Sequence, residues 1–386
     1  MNNPAGGAER VLADIANALA MRGHAVKVLT FERPGSQSFY SLDPRIERVE
    51  LAIGDTAGPV TLRETLQRIA SLRSYLKADL PDAVIGFMHS IFISLGVAAL
   101  GTRVPVIASE NIIPIHDRSR PLEALLFRLT PCLVDCITCA SDRIKRSYPK
   151  SIQRKMLPVA NPVSAKAGRF ANVGGLVGRP KTLLSVGRLD EQQDFATLIE
   201  AFSLIHVLIP EWRLRIVGEG HLRGDLEKLI SELRLSAKVS LPGVTQDVQA
   251  EYSSAQLFVL PSRNEGLGLA TAEALMHGLP AVGFADCPGA NALIVRSVNG
   301  ELAGTYPDRV TALAAVLAEL MTAPGLRQRL SKGARLTGRE FRIEAVVTKW
   351  EGLIEATCVK RASAEAASWQ TPDPQAATRY RFRSSA

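Results

Sequence analysis

Two carboxylates, Glu265 and Glu273, stand at a spacing suited to ligand binding in this chain of 386 residues. They bracket the run Asn264-Glu265-Gly266-Leu267-Gly268-Leu269-Ala270-Thr271-Ala272-Glu273-Ala274-Leu275, which follows the apolar segment Gln256 to Ser262. The pattern predicts a strand, a glycine turn and a helix, with Glu265 at the strand exit and Glu273 about two turns further on. In open α/β sheets the ligand crevice lies outside the carboxyl ends of the strands, where helices also begin. Helix amides and the positive dipole end suit a phosphate there, and Gly266 and Gly268 permit close backbone approach. The glutamates can accept hydrogen bonds from sugar hydroxyls. A nucleotide-sugar would use all three features, whereas a solvated helix start with Glu273 on its outer face would use none.

The elements that must hold these residues alternate between short Val/Ile/Leu runs and helical periods, the βαβα order of doubly wound parallel sheets. Residues 8–21 predict a helix with Val11, Leu12, Ile15 and Leu19 on one side and Gly23 closing it. Strands are expected at 25–31, 46–53, 82–88, 104–109, 133–140 and 155–159, and in a second set at 181–186, 213–217, 239–241, 257–261 and 281–285. Residues 161–179, rich in Gly and Ala and without apolar periodicity, form the candidate linker. The expected organisation is a first α/β domain over 1–165, a second over 178–340, and a helix over 341–359 that packs back towards the first. A disordered basic tail is expected over 360–386.

Composition narrows the partners. A formal charge of +8 favours anions, but Lys360, Arg361, Arg379, Arg381 and Arg383 against Glu365 and Asp373 place +3 of it in the tail. No basic stripe is interleaved with aromatics, which argues against nucleic acid. Five cysteines without regular pairing point to a reducing compartment. Cys132, Cys136 and Cys139 could share a helix face, but residues 133–140 read better as a buried strand in which cysteine is a small apolar residue. The apolar stretch 83–100 is broken by His89 and Ser90 and reads as a strand turning into a helix, not as a membrane span. With no signal peptide before Gly6, the expected location is cytoplasmic. Arg118, Arg120 and Arg128 among Leu122, Leu125, Leu126 and Phe127 offer either a basic patch for the inner face of the membrane or a domain helix packing its leucines inward.

Several glycine turns fall at strand ends in a fixed order: Gly6-Gly7 before the first helix, Gly187-Arg188 after 181–186, Gly218-Glu219-Gly220 after 213–217, then the double-glutamate run. The segments "GGAERVLADIANALAMRGHAVKVLT", "SVGRLDEQQDF", "RIVGEG", "FVLPSRNEGLGLATAEALMHGLPAV", "FADCPGA" and Asn299-Gly300 together resemble family 4 glycosyltransferases, over residues 6 to about 358. "VIASENIIP" and "FADCPGA" look most like bacterial members that build surface polysaccharides or lipid-linked oligosaccharides. The resemblance implies a GT-B fold: two Rossmann-like doubly wound parallel-sheet domains with a cleft between them. The first domain would serve the acceptor and the second the nucleotide-sugar donor. It implies a retaining, metal-independent hexosyltransferase, and no Asp-x-Asp pair is present to hold a divalent ion.

Residue by residue, the resemblance implies that Glu273 holds the ribose and Glu265 lies by the donor sugar. Arg188 would neutralise the leaving diphosphate, with the amides of Gly266, Leu267, Gly268 and Leu269 on the phosphates. Gly187, Gly218, Glu219, Gly6 and Gly7 would line the donor site, and His89, Asn111 and His116 are candidates on the acceptor or sugar side. His24 and His277 read as structural. No cofactor is implied, and a UDP-linked donor and a glycan or lipid-linked acceptor are the expected partners.

The chain departs from that pattern in three places. Gln193 stands where the family carries lysine, and one lost cation corresponds to about two to three decades in rate unless Lys181 or Arg263 substitutes. Leu293 stands near a usual glutamate. The apolar strand that precedes the glycine turn in the family is missing before Gly6. These departures motivate a rival reading, a glycosyltransferase-like protein that binds a nucleotide or partner without turnover. A GT-B sugar epimerase is a further alternative that the "EGLGLATAE" pattern disfavours.

Overall fold

A computed structural model describes residues 7–32, 40–53, 61–110, 129–163, 169–265 and 268–368. The first half contains α1 (Gly7–Met21), β1 (Lys27–Thr30), β2 (Glu47–Glu50), α2 (Leu62–Asp79), β3 (Val84–Phe87), α3 (His89–Ala99), β4 (Val106–Ser109), β5 (Cys136–Cys139), α4 (Asp142–Arg146), α5 (Lys150–Gln153) and β6 (Met156–Pro158). The second contains β7 (Lys181–Val186), α6 (Phe195–Ile205), β8 (Trp212–Val217), α7 (Arg223–Glu232), β9 (Val239–Gly243), α8 (Val248–Ser254), β10 (Leu257–Val259), α9 (Leu269–Met276), β11 (Ala281–Phe284), α10 (Pro288–Leu293), β12 (Gly300–Ala303), α11 (Arg309–Thr322) and α12 (Pro324–Gly338). A last helix, α13 (Ile343–Ser368), follows.

The second half forms a parallel six-stranded sheet in the order β12-β11-β10-β7-β8-β9. Strands buried on both faces read as continuous apolar runs. Leu183 and Leu184 of β7, and Leu257, Phe258 and Val259 of β10, are fully buried. Phe195, Leu198 and Phe202 of α6 and Leu313, Leu317 and Leu320 of α11 complete that core. The chain runs from β7 outward through β8 and β9, then returns to β10 on the other side of β7. The strand order therefore reverses between β7 and β10, and their carboxyl ends flank the crevice where such sheets bind ligands.

In the first half β3-β4-β5-β6 form one parallel sheet and β1-β2 a separate parallel pair. Among the described residues no strand joins the two, so β1 and β3 each end a ladder. Val11, Ile15 and Leu19 of α1 pack with Ile107, Cys136, Val159 and with Val346, Val347 and Trp350 of α13. Arg22 binds the Glu344 carbonyl, Thr348 and Glu351, and His24 pairs with Glu351 at 3.0 Å, so His24 is structural as expected.

Three expectations need correction. β12 was not foreseen, because Gly-Glu-Leu-Ala has neither alternation nor a β-branched residue, and its pairing depends on Ala281 to Phe284 alongside it. The helix expected to end at 359 continues to Ser368: its alanine-rich end favours helix, and Arg361 anchors it on Asp135 (3.0 Å) and the Thr102 carbonyl (3.1 Å). The rest of the tail lies outside the described residues, as do Arg118, Arg120, Arg128 and the leucines among them. The candidate linker is also not slack: Ala171 and Val173 are buried, and the Ala171 amide donates to the His277 carbonyl at 2.8 Å.

Arg327 pins that segment. Fully buried, it donates to the carbonyls of Val173 (3.1 Å), Leu320 (2.6 Å) and Met321 (3.0 Å), and its guanidinium lies 5.0 Å from the Trp212 ring centre. Arg327→Met is expected to lower stability by about 3 kcal/mol, since three buried carbonyls lose their donor. Urea unfolding of the two proteins checks this.

Cys136 and Cys139 lie on β5 with their thiols pushed up to about 11 by burial, which fits a packing role. Among the described residues no single helix is long and apolar enough to cross a membrane.

Candidate active site

Glu265, Gln193 and Arg188 meet at the point where the strand order reverses. Beyond β7 the chain turns at Gly187, and Arg188 projects with 79% of its side chain exposed, its Nη2 3.4 Å from Asp190 Oδ2. Gln193 is buried, and its backbone N–H donates to Asp190 Oδ1 at 3.1 Å. Its Nε2 donates to Glu265 Oε1 at 2.6 Å. Ser262 Oγ lies 2.9 Å from Gln193 Oε1 and 3.1 Å from Glu265 Oε1, and its one proton serves one of them at a time. Burial pushes the Glu265 carboxyl above the usual range and Asp190 adds to that, while Gln193, Ser262 and Arg188 oppose it.

Bare backbone makes this corner possible. A Cβ on Gly187 would stand 2.8 Å from Gln193 Oε1, and one on Gly289 would stand 2.5 Å from Glu265 Cβ, so α10 starts directly against the Glu265 backbone and Cβ. Gly218, at φ +149°, leaves 1.9 Å between a Cβ and the Gly187 carbonyl oxygen; only glycine fits where the β7 and β8 exits touch.

Glu273 sits in the second turn of α9. Its Oε2 accepts from the Tyr252 phenol at 2.9 Å, and its Oε1 lies 3.4 Å from Arg10 Nη1 of α1. Burial raises this carboxyl too, against the lowering effect of Arg10 and Tyr252. Tyr252 stacks on His277 at 5.5 Å, and His277 Nδ1 donates to the Arg169 carbonyl at 2.6 Å, so His277 is structural as expected. Gly268, in the left-handed conformation, caps α9, whose first amides lack partners within their own helix.

Other candidates fall as follows. Glu219, in the loop after β8, is engaged by Arg223 at the start of α7 through two hydrogen bonds of 2.6 and 2.9 Å. Gly7 is the first residue of α1 and His89 the first of α3, directly after β3. Gly6, Gly266, Leu267, Asn111 and His116 lie outside the described residues. Lys181 cannot replace the missing cation: it opens β7, about 20 Å of strand before Gly187, and pairs with Glu211 at 3.2 Å. Arg263 does lie beside the site, its Nε 3.1 Å from Asp194 Oδ2. Leu293 is buried and lines a cavity of about 1030 Å³ with Ser141, Arg146, Asp286, Glu340 and Lys349.

Arg10, Tyr252 and Arg309 were not foreseen as site residues. Arg309 stacks 3.6 Å from the Phe284 ring centre, binds Asp286 at 2.7 Å and donates to the Pro261 carbonyl at 3.2 Å, bracing the β10 and β11 exits. Arg10 was visible within "GGAERV", but its partner stands 263 positions away.

Residues 5–164 match the family described as Glycosyltransferase Family 4, and residues 169–337 match Glycosyl transferases group 1. The chain belongs to the family 4 glycosyltransferases. An uncharacterized glycosyltransferase of Haemophilus influenzae is 27% identical over 91% of this chain and 96% of its own length. A Campylobacter jejuni α-1,4-N-acetyl-D-galactosaminyltransferase, acting on a GalNAc-bearing diNAcBac-PP-undecaprenol, is 26% identical over 90% and 95%. Among solved structures, the lipopolysaccharide outer core galactosyltransferase WaaB superposes with a TM-score of 0.71 at 18% identity, over 91% of this chain and 96% of that one. Anabaena HepE in complex with UDP gives 0.71 at 15% identity, over 92% and 98%. The fold of this glycosyltransferase is GT-B, and its relatives act in polysaccharide and glycoconjugate biosynthesis.

Proposed function

We propose that this glycosyltransferase transfers a sugar, with retention of configuration, from a UDP-sugar to a lipid-linked or growing glycan at the cytoplasmic face of the membrane. The observation that carries this reading is the convergence of Arg188, Gln193 and Glu265 where the strand order reverses, with Glu273 one helix away. In this reading the second domain holds the donor: ribose hydroxyls donate to Glu273, the first amides of α9 meet phosphate, and Arg188 follows the departing diphosphate. Glu265 accepts from a donor-sugar hydroxyl. The donor phosphate takes the proton from the acceptor hydroxyl, and arginine with helix dipole supplies the charge stabilisation without a metal. The acceptor enters from the first domain, and the cavity between the β5 and β6 exits and α10 is the space for it. The UDP bound in HepE, the undecaprenol-linked substrate named for the Campylobacter enzyme, and the size of that cavity support this assignment.

Titration calorimetry with UDP tests it. Glu273→Ala is expected to weaken UDP binding about a hundredfold, because charge-assisted hydrogen bonds to the ribose are lost. Equal affinity in the two proteins would remove Glu273 from the nucleotide site.

One observation favours a second reading. Gln193 Nε2 closes on Glu265 with a neutral amide where the family places an ammonium, which suits a protein that binds nucleotide without turnover.

A further inference from the structure

Arg10 reaches across the cleft from α1, in the first domain, to Glu273 in the second. Among the described residues it pairs with Glu273 Oε1 at 3.4 Å and Asp14 Oδ2 at 3.8 Å, both long for an arginine–carboxylate pair. The other oxygen of Glu273 is committed to Tyr252 at 2.9 Å, and Tyr252 is fully buried and locked against His277. Arg10 therefore competes with an incoming ribose for Glu273 Oε1, the oxygen that Tyr252 leaves open. Loss of that partner leaves a guanidinium, 34% exposed, at the mouth of the site, next to the helix whose N-terminus is the phosphate candidate.

On the other wall of the crevice the charge is incomplete. Arg188 is exposed and lightly paired, and the position beside it holds Gln193, a neutral amide already engaged with Glu265. Among the described residues a diphosphate arriving there meets Arg188 from the second domain, with Arg263 beside it held on Asp194 at 3.1 Å, where the family pattern would supply a lysine next to the arginine.

We propose that Arg10 is the missing cation: a latch on Glu273 in the empty protein that ribose displaces onto the diphosphate, so that nucleotide binding recruits a first-domain charge to the donor. The inference rests on the nucleotide-sugar reading above. It makes the first domain part of the donor site and ties donor binding to the approach of the two domains, since the guanidinium travels with α1.

The test compares UDP, which has the diphosphate, with uridine, which has ribose and base alone, in calorimetric and displacement titrations. Arg10→Gln is expected to weaken UDP about tenfold or more while uridine changes less than about twofold. Arg10→Lys, which keeps the charge, stays within about threefold of the parent for UDP. Adding Gln193→Lys to Arg10→Gln restores UDP affinity, because either position then supplies the cation. Equal weakening of UDP and uridine by Arg10→Gln would mean an interdomain pair that only shapes the site, and unchanged or tighter UDP binding would overturn the latch. If the parent protein binds UDP and these variants behave alike, this inference alone fails. If the parent binds no nucleoside diphosphate, the proposed function fails with it.

Discussion

Glu265→Ala is expected to lower sugar transfer about a thousandfold while leaving UDP affinity within about threefold of the parent. Glu265 lies at the reversal of strand order, flanked by Gln193 and Ser262, whereas ribose recognition is assigned to Glu273, within α9 and bonded to Tyr252. An acceptor of hydrogen bonds that touches only the donor sugar contributes most when positive charge develops there, so its loss falls on kcat. The fold is expected to tolerate the change, because Ser262 Oγ still donates to Gln193 Oε1 at 2.9 Å when the carboxylate is removed. Steady-state kinetics beside UDP calorimetry separates the two effects. A variant that lost UDP binding in step with turnover would place Glu265 on the nucleotide instead.

Gln193→Lys is expected to raise kcat about ten- to a hundredfold, the opposite direction from most substitutions in a buried site. Gln193 Nε2 already stands 2.6 Å from Glu265 Oε1, so a lysine there gains a carboxylate partner in place. It would also add a cation from the second domain beside the leaving diphosphate. The pH profile gives an independent readout. Burial now raises the Glu265 carboxyl, so the carboxylate form is lost as pH falls through that raised value. An adjacent ammonium favours the ionised form, lowers that value and moves the acid limb of the profile to lower pH. A lysine variant with the same limb and the same kcat would show that the amide is not a deficit.

The sequence showed the second domain well because its strands are buried on both faces. Lys181 to Val186 and Leu257 to Val259 read as apolar runs wherever they are placed, and helix periods separate them. Glu265 and Glu273 were legible because a strand, a glycine turn and a helix are local chemistry. What lies between segments was not. The Arg10–Glu273 and Tyr252–Glu273 contacts exist only once α1 and α8 are packed against α9, and no spacing rule reaches that far. β12 needed its neighbour's register, and Arg309 needed Phe284 beneath it. Lys181 was a different failure: strand direction alone excludes it, since a parallel strand puts its first residue at the end away from the crevice.

The most direct test of the account is nucleotide release in the presence of a lipid-linked acceptor, with UDP-sugars and GDP-sugars offered in parallel to the parent protein and to Glu265→Ala. The account predicts acceptor-dependent release of UDP by the parent and about a thousandfold less by the variant. Release at the same rate by both proteins, or none by a parent that still binds UDP, would contradict it.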